Sequence, residues 1–256
     1  MGVSKAGPES GRRALDLLFS FTEQRPVASV KELAAELSMP IASAHRYLNL
    51  LHDYGLVTES GRGRYHLTMR VAALGRAAAE ATPLVTLAEP VMRELAERIG
   101  ETVLLIRLVH GQPVCANRIE ARQKLRLSFE IGQPLPALRG ASARVLLSAM
   151  SLSEREDYID EAVSRGADLP VSGREKFLRE IAAMETRTAE SLEEIDEGVW
   201  SVATGIREGR HTVGTLSAPC PTFRLDIEKK ARITELVELA GRRISATLSG
   251  GTDPGW

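Results

Sequence analysis

Residues 29–67, SVKELAAELSMPIASAHRYLNLLHDYGLVTESGRGRYHL, hold two short helical patterns, a three-residue break and an alternating segment folded about glycines. Ser29 is a good helix N-cap whose side chain meets the amide near Glu32, as in a capping box. Val30, Leu33, Ala34 and Leu37 then recur at helical spacing until Ser38-Met39-Pro40 breaks the run. Ser38 occupies a turn position that often needs positive φ, where glycine is common, so strain is expected there. A further helix runs from Ile41 to about Tyr54, with Ile41, Ala44, Tyr47, Leu48 and Leu51 on one face and Gly55 at its end. Two short helices across a three-residue turn make a helix-turn-helix pattern, and small Ala34 suits their crossing. Residues 56–59 and 64–67 alternate around Ser60-Gly61-Arg62-Gly63, which predicts a β-hairpin in the position of a wing.

The exposed face of the third helix offers Ser43, His45, Arg46 and Asn49, side chains able to donate to phosphates or to base edges in a major groove. Arg62 at the wing tip and Arg64 on the wing strand extend that set toward the backbone or a minor groove. Upstream, residues 11–21 read as an amphipathic helix capped by Ser10, with Ala14, Leu15, Leu17, Leu18 and Phe21 mostly on one face, and Pro26 closes it. A winged module that contacts protein and no DNA is the alternative use of the same elements.

Bulk properties narrow the classes. The 256 residues are enough for two domains, and 43% hydrophobic with 26% charged residues is ordinary for a soluble globular chain. Net charge is −1, so no global basic signal exists; residues 1–83 nevertheless carry ten Lys/Arg against eight Asp/Glu. Between Pro40 and Arg76 stand five arginines against Asp53 and Glu59, a local excess compatible with phosphate contact. Cys115 and Cys220 form no zinc spacing and no disulfide framework, the N-terminus is polar, and no apolar run approaches membrane-spanning length. A cytoplasmic protein is expected.

After an alanine-rich helix over 68–81, residues 84–99 form another amphipathic helix, and strands are predicted at 102–109, 113–120 and about 125–131. Helices follow near 142–150, 153–164 and 172–187, then strands near 199–206 and 212–218, then a long helix over 225–248 with a buried stripe. This is an α+β pattern, a mixed antiparallel sheet with helices packed on it. Phosphate-binding glycine loops, paired-His metal spacing and nucleophile elbows are all missing. The acidic run 190–197 reads as a solvated loop. Cys220, between Pro219 and Pro221, has two readings: a buried inert thiol, or the nucleophile of a thiol hydrolase working with His211. Cys115 alternates within a strand and belongs to a core.

On these residues the chain resembles the IclR family of transcriptional regulators. The likeness is carried by residues 33–37, by Met39-Pro40-Ile41-Ala42-Ser43-Ala44-His45-Arg46-Tyr47-Leu48 and by Gly63-Arg64-Tyr65-His66-Leu67. It continues through Gly100-Glu101-Thr102-Val103, Gly132-Gln133-Pro134-Leu135-Pro136, Gly198-Val199-Trp200-Ser201-Val202-Ala203 and the stretch 213–221. The resemblance implies a winged helix-turn-helix over 10–68, a linker helix over 69–82 and a GAF-like effector-binding domain over 83–249, with a disordered tail at 1–9 and a flexible one at 250–256. It implies double-stranded operator DNA as partner, a small organic acid or aromatic compound as effector, assembly as a dimer or a dimer of dimers, and no enzymatic activity or cofactor. The family's effector positions fall here on Ala141, Ser142, Ser191, Val199, Ser201, Ser217 and Pro219. The family often has an acid near Ser191, a cysteine near Ser201 and a serine-glycine pair where Pro219-Cys220 stand, and bulky Trp200 sits beside the expected pocket. Ala141 and Ser142 open a predicted helix after Gly140, where free amides favour a carboxylate; Ser142 is either part of that site or simply the helix cap.

Overall fold

The computed structural model describes residues 9–22, 25–80, 83–120, 129–184, 188–251 and 255–256. They fall into two compact units that divide between residues 82 and 83. The N-terminal unit contains α1 (Glu9–Phe19), β1 (Val27–Ser29), α2 (Val30–Glu36), α3 (Ile41–Asp53), β2 (Val57–Glu59), β3 (Arg64–Leu67) and α4 (Met69–Glu80). The capping box at α2 is formed: the Glu32 amide donates to Ser29 Oγ at 3.3 Å, and the Ser29 amide donates to the Glu32 carboxylate at 2.6 Å. Those bonds hold the Glu32 carboxyl below its ordinary range, the Ser29 amide contributing most. Ser38 takes the strained left-handed conformation, φ 49°, that lets the chain reverse into α3. Leu33 and Ala34 of α2 meet Ala44 and Leu48 of α3, and Leu17, Val57 and Tyr65 close the core.

Three local features differ from the sequence reading. α1 starts at Glu9, so Ser10 lies inside the helix and does not cap it, and Leu15 is 52% exposed. Ile41 in the first turn of α3 is 48% exposed, off the buried face. A strand not anticipated, β1, pairs antiparallel with β3 (Ala28↔Tyr65) and completes a three-stranded sheet in the order β1-β3-β2. Three residues give no readable alternation; β1 exists because the outer edge of the wing strand is open to it.

The second unit contains α5 (Pro83–Ile99), β4 (Val103–Val109), β5 (Gln112–Ile119), α6 (Ala141–Ser148), α7 (Leu152–Ser164), α8 (Arg174–Ala182), β6 (Thr188–Leu192), β7 (Val199–Glu208), β8 (His211–Pro221), a 3₁₀ turn at Thr222–Arg224 and α9 (Ile227–Leu248). Its sheet is antiparallel in the order β5-β4-β8-β7-β6. One face buries Leu105, Val202, Leu216 and Ala218 against Leu95 of α5 and Val237 of α9. The other carries Leu104 and Ile106 toward Phe129 and Leu135, and Ala203 toward α6. Helices α7 and α8 form a satellite core around Ile159, Phe177 and Leu147.

Further corrections concern this unit. The acidic run is not a solvated loop throughout: residues 190–192 belong to edge strand β6. Of the strand expected at 125–131, residues 125–128 lie outside the described residues, and 129–131 are not in a strand. Helix α8 ends at Ala182, short of residue 187, and 185–187 lie outside the described residues. Trp256, expected in a flexible tail, is packed: Arg98 and Arg243 stack on its ring at 4.4 and 4.7 Å, and Glu94 binds both arginines at 3.1 and 3.0 Å.

Helix α9 comes close to the sheet at Gly241, where a Cβ would lie 2.4 Å from Thr204 Cγ2. The rotamer of Thr204 is fixed in turn by a 3.1 Å hydroxyl contact with Thr188. Gly241→Ala therefore loses about 1–3 kcal/mol to overpacking, more than the helix propensity it gains. Adding Thr204→Ser, which removes the clashing methyl, restores most of the loss in chemical denaturation; an additive double mutant would place the strain elsewhere.

Candidate nucleic-acid interface and ligand cavity

Helix α3 buries Ala44, Leu48 and Leu51, which turns His45, Arg46 and Asn49 together to solvent with Ala42, while Ser43 sits half-buried at the rim. Acidic side chains on α3 are confined to its last residue, Asp53. The guanidinium of Arg46 lies 5.2 Å from the Tyr47 ring centroid and donates to its hydroxyl at 3.4 Å, so its base is propped beside the helix with donors left over. The start of α3 adds a feature that sequence reasoning missed. Its N-cap is Pro40, without a side-chain cap, and the Pro40 carbonyl takes the amides of Ser43 and Ala44. The amides of Ile41 and Ala42 are left at an exposed helix N-terminus, a position that suits a phosphate. The signal was present in proline itself, which offers no capping side chain.

The wing is a tight turn. Ser60 N–H bonds the Arg64 carbonyl at 2.9 Å, and Gly63 N–H bonds the Glu59 carboxylate at 2.9 Å. Gly61, Arg62 and Gly63 all have positive φ, Arg62 at 56°. Arg62 is exposed at the tip, and Arg64 is exposed on β3, donating to the Val27 carbonyl at 3.4 Å.

In the second unit, a cavity with an empty volume of about 510 Å³, mouth included, opens between the sheet, α6 and the β6–β7 loop. Ala141, Ser142, Ser191, Val199, Ser201, Ser217 and Pro219 all line it, from four different elements. Leu104, Ile106, Phe129, Leu135 and Ile195 supply apolar wall. Trp200 does not: alternation along β7 sends it to the opposite face, where its Nε1 donates to Glu190 at 3.2 Å.

Helix α6 begins on Gly140, whose φ of 90° requires glycine and whose Cα is covered by Ile195; a Cβ there would lie 2.6 Å from Ile195 Cδ1. Ser142 is thus not the cap, and its Oγ is buried without a partner. Of the four open amides of the first turn, Gly140 N–H donates to Glu194 at 2.8 Å and Ala141 N–H to Ser191 Oγ at 3.0 Å. The amide of Ala141 is therefore taken, while those of Ser142 and Ala143 find no acceptor among the described residues. Glu194 also holds Arg144 at 2.6 Å. The hydroxyls of Ser201 and Ser217 lie 3.0 Å apart across β7 and β8, leaving one O–H of the pair to donate outward.

The thiols do not join this site. Cys220 points into the core between the sheet and α9, on the face opposite the cavity, and Cys115 is fully buried. His211 stands at the other end of β8, nine residues from Cys220, a separation of roughly 30 Å along a strand. Burial pushes the Cys220 thiol up to about 12, the Glu101 carboxylate adding to it, and burial pushes Cys115 up to about 11. Among the described residues there is no His/Cys/Asp/Glu group that could hold a metal ion, and no helix long and apolar enough to cross a membrane.

Comparison with known proteins covers both units. Residues 12–61 match the model of the IclR helix-turn-helix domain, and residues 76–246 match the bacterial transcriptional regulator IclR C-terminal model. The chain is 28% identical over 228 residues to the HTH-type transcriptional regulator KipR of Bacillus subtilis, covering 88% of this chain and 91% of KipR. It is 30% identical to the HTH-type transcriptional regulator TtgV of Pseudomonas putida, over 69% of this chain and 68% of TtgV. The fold matches that of an IclR homologue from Microbacterium hydrocarbonoxydans complexed with 4-hydroxybenzoate, with a TM-score of 0.75 at 21% identity, covering 94% of this chain and all of that one. KipR and TtgV are both transcriptional regulators of the helix-turn-helix type.

The raised thiols give a direct check on the hydrolase alternative. At pH 8 a thiol-specific disulfide reagent leaves both cysteines of the native protein unlabelled over minutes, because a pKa raised above the working pH leaves almost no thiolate; unfolding releases both. Rapid native labelling of Cys220 would reinstate it as a nucleophile.

Proposed function

The chain belongs to the IclR family of bacterial transcriptional regulators, and we propose that it is a cytoplasmic repressor whose operator binding is set by a small organic effector in the second unit. The observation that carries this reading is the pairing of two sites in one chain: an acid-poor α3 face with an adjoining wing, and a built cavity on a separate sheet. On duplex DNA, α3 enters a major groove with His45, Arg46 and Asn49 toward base edges, Ser43 and the Ile41 and Ala42 amides toward phosphate, and Arg62 and Arg64 toward the flanking backbone or minor groove.

One short recognition helix covers too little DNA for operator-level selectivity, so the reading includes a second copy. Support comes from α4, which has no buried residue over its described positions and exposes Met69 by 75% and Leu74 by 59%. Phe19 of α1 is 65% exposed as well. Apolar side chains left in water on two helices are covered when two copies meet, which fixes the spacing of their recognition helices at about one DNA turn. A dimer of dimers through the second unit extends the same scheme.

The effector is a small organic acid or aromatic compound. Ser142 Oγ and the amides of Ser142 and Ala143 receive its acidic group, and Ser191, Val199, Ser201 and Ser217 form the surrounding wall. The 4-hydroxybenzoate held by the Microbacterium homologue is a compound of this class. Effector binding is coupled to the distance between recognition helices, a coupling typically of ~1–3 kcal/mol.

Titration of the purified protein onto duplex from upstream of its own gene, with a scrambled duplex alongside and several salt concentrations, tests the reading. The expected result is sequence-selective binding with a steep salt dependence whose slope falls by about one in Arg46→Ala if that residue meets phosphate. Equal weak binding to both duplexes, with salt-insensitive capture of a protein partner, would instead make the winged unit a protein-docking module. Arg62→Gly separates contact from fold at the wing tip. It relieves a left-handed non-glycine residue that costs about 1 kcal/mol, so stability holds or rises while operator affinity falls; unchanged affinity would remove Arg62 from the interface.

A further inference from the structure

The polar atoms lining the cavity divide unevenly between donors and acceptors. Donors collect at the start of α6: the buried Ser142 hydroxyl, the amides of Ser142 and Ala143, and, just before the helix, the guanidinium of Arg139, which also lines the cavity. The acceptors are mostly engaged. Ser191 Oγ already takes the Ala141 amide, Ser201 and Ser217 bond each other, and both oxygens of Glu194 are occupied, one by the Gly140 amide and one by Arg144. Asp196 is the exception. It lines the cavity, and its Oδ2 is buried with no partner among the described residues.

A carboxylate oxygen only accepts hydrogen bonds, and left unpaired in a buried site it is costly. The backbone that carries Asp196 is held on both sides. Glu193 N–H bonds the Val199 carbonyl at 2.8 Å, and Val199 N–H bonds the Asp196 carbonyl at 3.3 Å. Glu194 ties the loop to α6 through Gly140 and Arg144, and Ile195 fills the space over Gly140 that a side chain would occupy. Asp196, with Oδ2 unpartnered, is therefore part of the cavity wall and opposite in hydrogen-bonding sense to the α6 end, and apolar side chains line the same cavity.

We propose that Asp196 is the specificity residue of this cavity, and that the effector it selects carries a hydrogen-bond-donating group, a hydroxyl or an amine, on a small apolar body that also bears an acid. This rests on the reading of the cavity as the effector site and adds to it the group that distinguishes one small acid from another. A site whose buried acceptor is left unpaired discriminates strongly against the analogue lacking the donor.

The test uses the full chain and matched probes: benzoate, its 3- and 4-hydroxy and 3- and 4-amino derivatives, and the corresponding methyl ethers, each titrated by calorimetry. At one ring position or more, the hydroxy or amino compound is expected to bind about tenfold or more tightly than benzoate and than its methyl ether. In Asp196→Ala that preference falls to within about twofold while benzoate affinity is retained. The isosteric Asp196→Asn serves if the alanine variant melts early. Equal affinity across a matched set in the native chain, or a preference that survives Asp196→Ala, overturns the role of Asp196 and leaves the effector reading standing, provided benzoate binding is lost in Ser201→Leu, which narrows the cavity. If no probe binds at millimolar concentration, or binding is indifferent to Ser201→Leu, the cavity is not the acid site and both readings fall.

Discussion

The period of two along β8 is the constraint on which the second unit depends. The strand is hydrogen-bonded on both edges, to β4 through Leu104↔Ser217 and to β7 through Ala203↔Ser217, so its residues cannot slide or rotate. Leu216, Ala218 and Cys220 therefore enter the core under α5 and α9, while Ser217 and Pro219 enter the cavity wall. A slip of one residue would put a hydroxyl into the helix-side core and a thiol into the cavity. The same alternation on β7 separates Ser201 from Trp200, and on β6 separates Ser191 from Glu190. Core and site are two faces of one set of hydrogen bonds.

The N-terminal unit was readable because its signals are local. A capping serine and its glutamate lie three residues apart, the turn between α2 and α3 is three residues long, and the wing turns on adjacent glycines. In the second unit the decisive relations span dozens of residues. Ser191 takes the Ala141 amide from 50 positions away and Glu194 takes that of Gly140 from 54, so the expectation of a free Ala141 amide had no local signal to correct it. Residues 190–192 of β6 read as loop in the sequence because the strand lies at the edge of the sheet. Glu190 faces out to pair with Lys230 and the Trp200 indole, and acidic residues on an exposed edge look like a solvated run when pairing is not visible. Family resemblance points to seven of the lining positions, but their hydrogen-bonding state depends on partners distant in sequence and is visible only in the fold.

Charge illustrates the same division of scale. A net −1 carries no sign of a nucleic-acid partner, and the relevant asymmetry is a few ångströms deep: an α3 face whose acid is deferred to Asp53 and a wing that accepts backbone strain to hold Arg62 at its tip. Strain of that kind persists only where neighbouring bonds over-determine it, as those of Ser60, Glu59 and Gly63 do here.

The chain has two tryptophans, and both lie in the second unit against cations: Trp256 between Arg98 and Arg243, and Trp200 with Lys230 at 5.6 Å from its ring. The N-terminal unit has none. Intrinsic indole emission thus arises from the sheet unit alone, and tyrosine is the brightest fluorophore of the winged unit. Because Trp200 neighbours Ser201 in sequence yet faces away from the cavity, a change in the emission of Trp200 on adding a ligand, isolated by replacing Trp256 with phenylalanine, reads the response of the strand itself and not a direct touch.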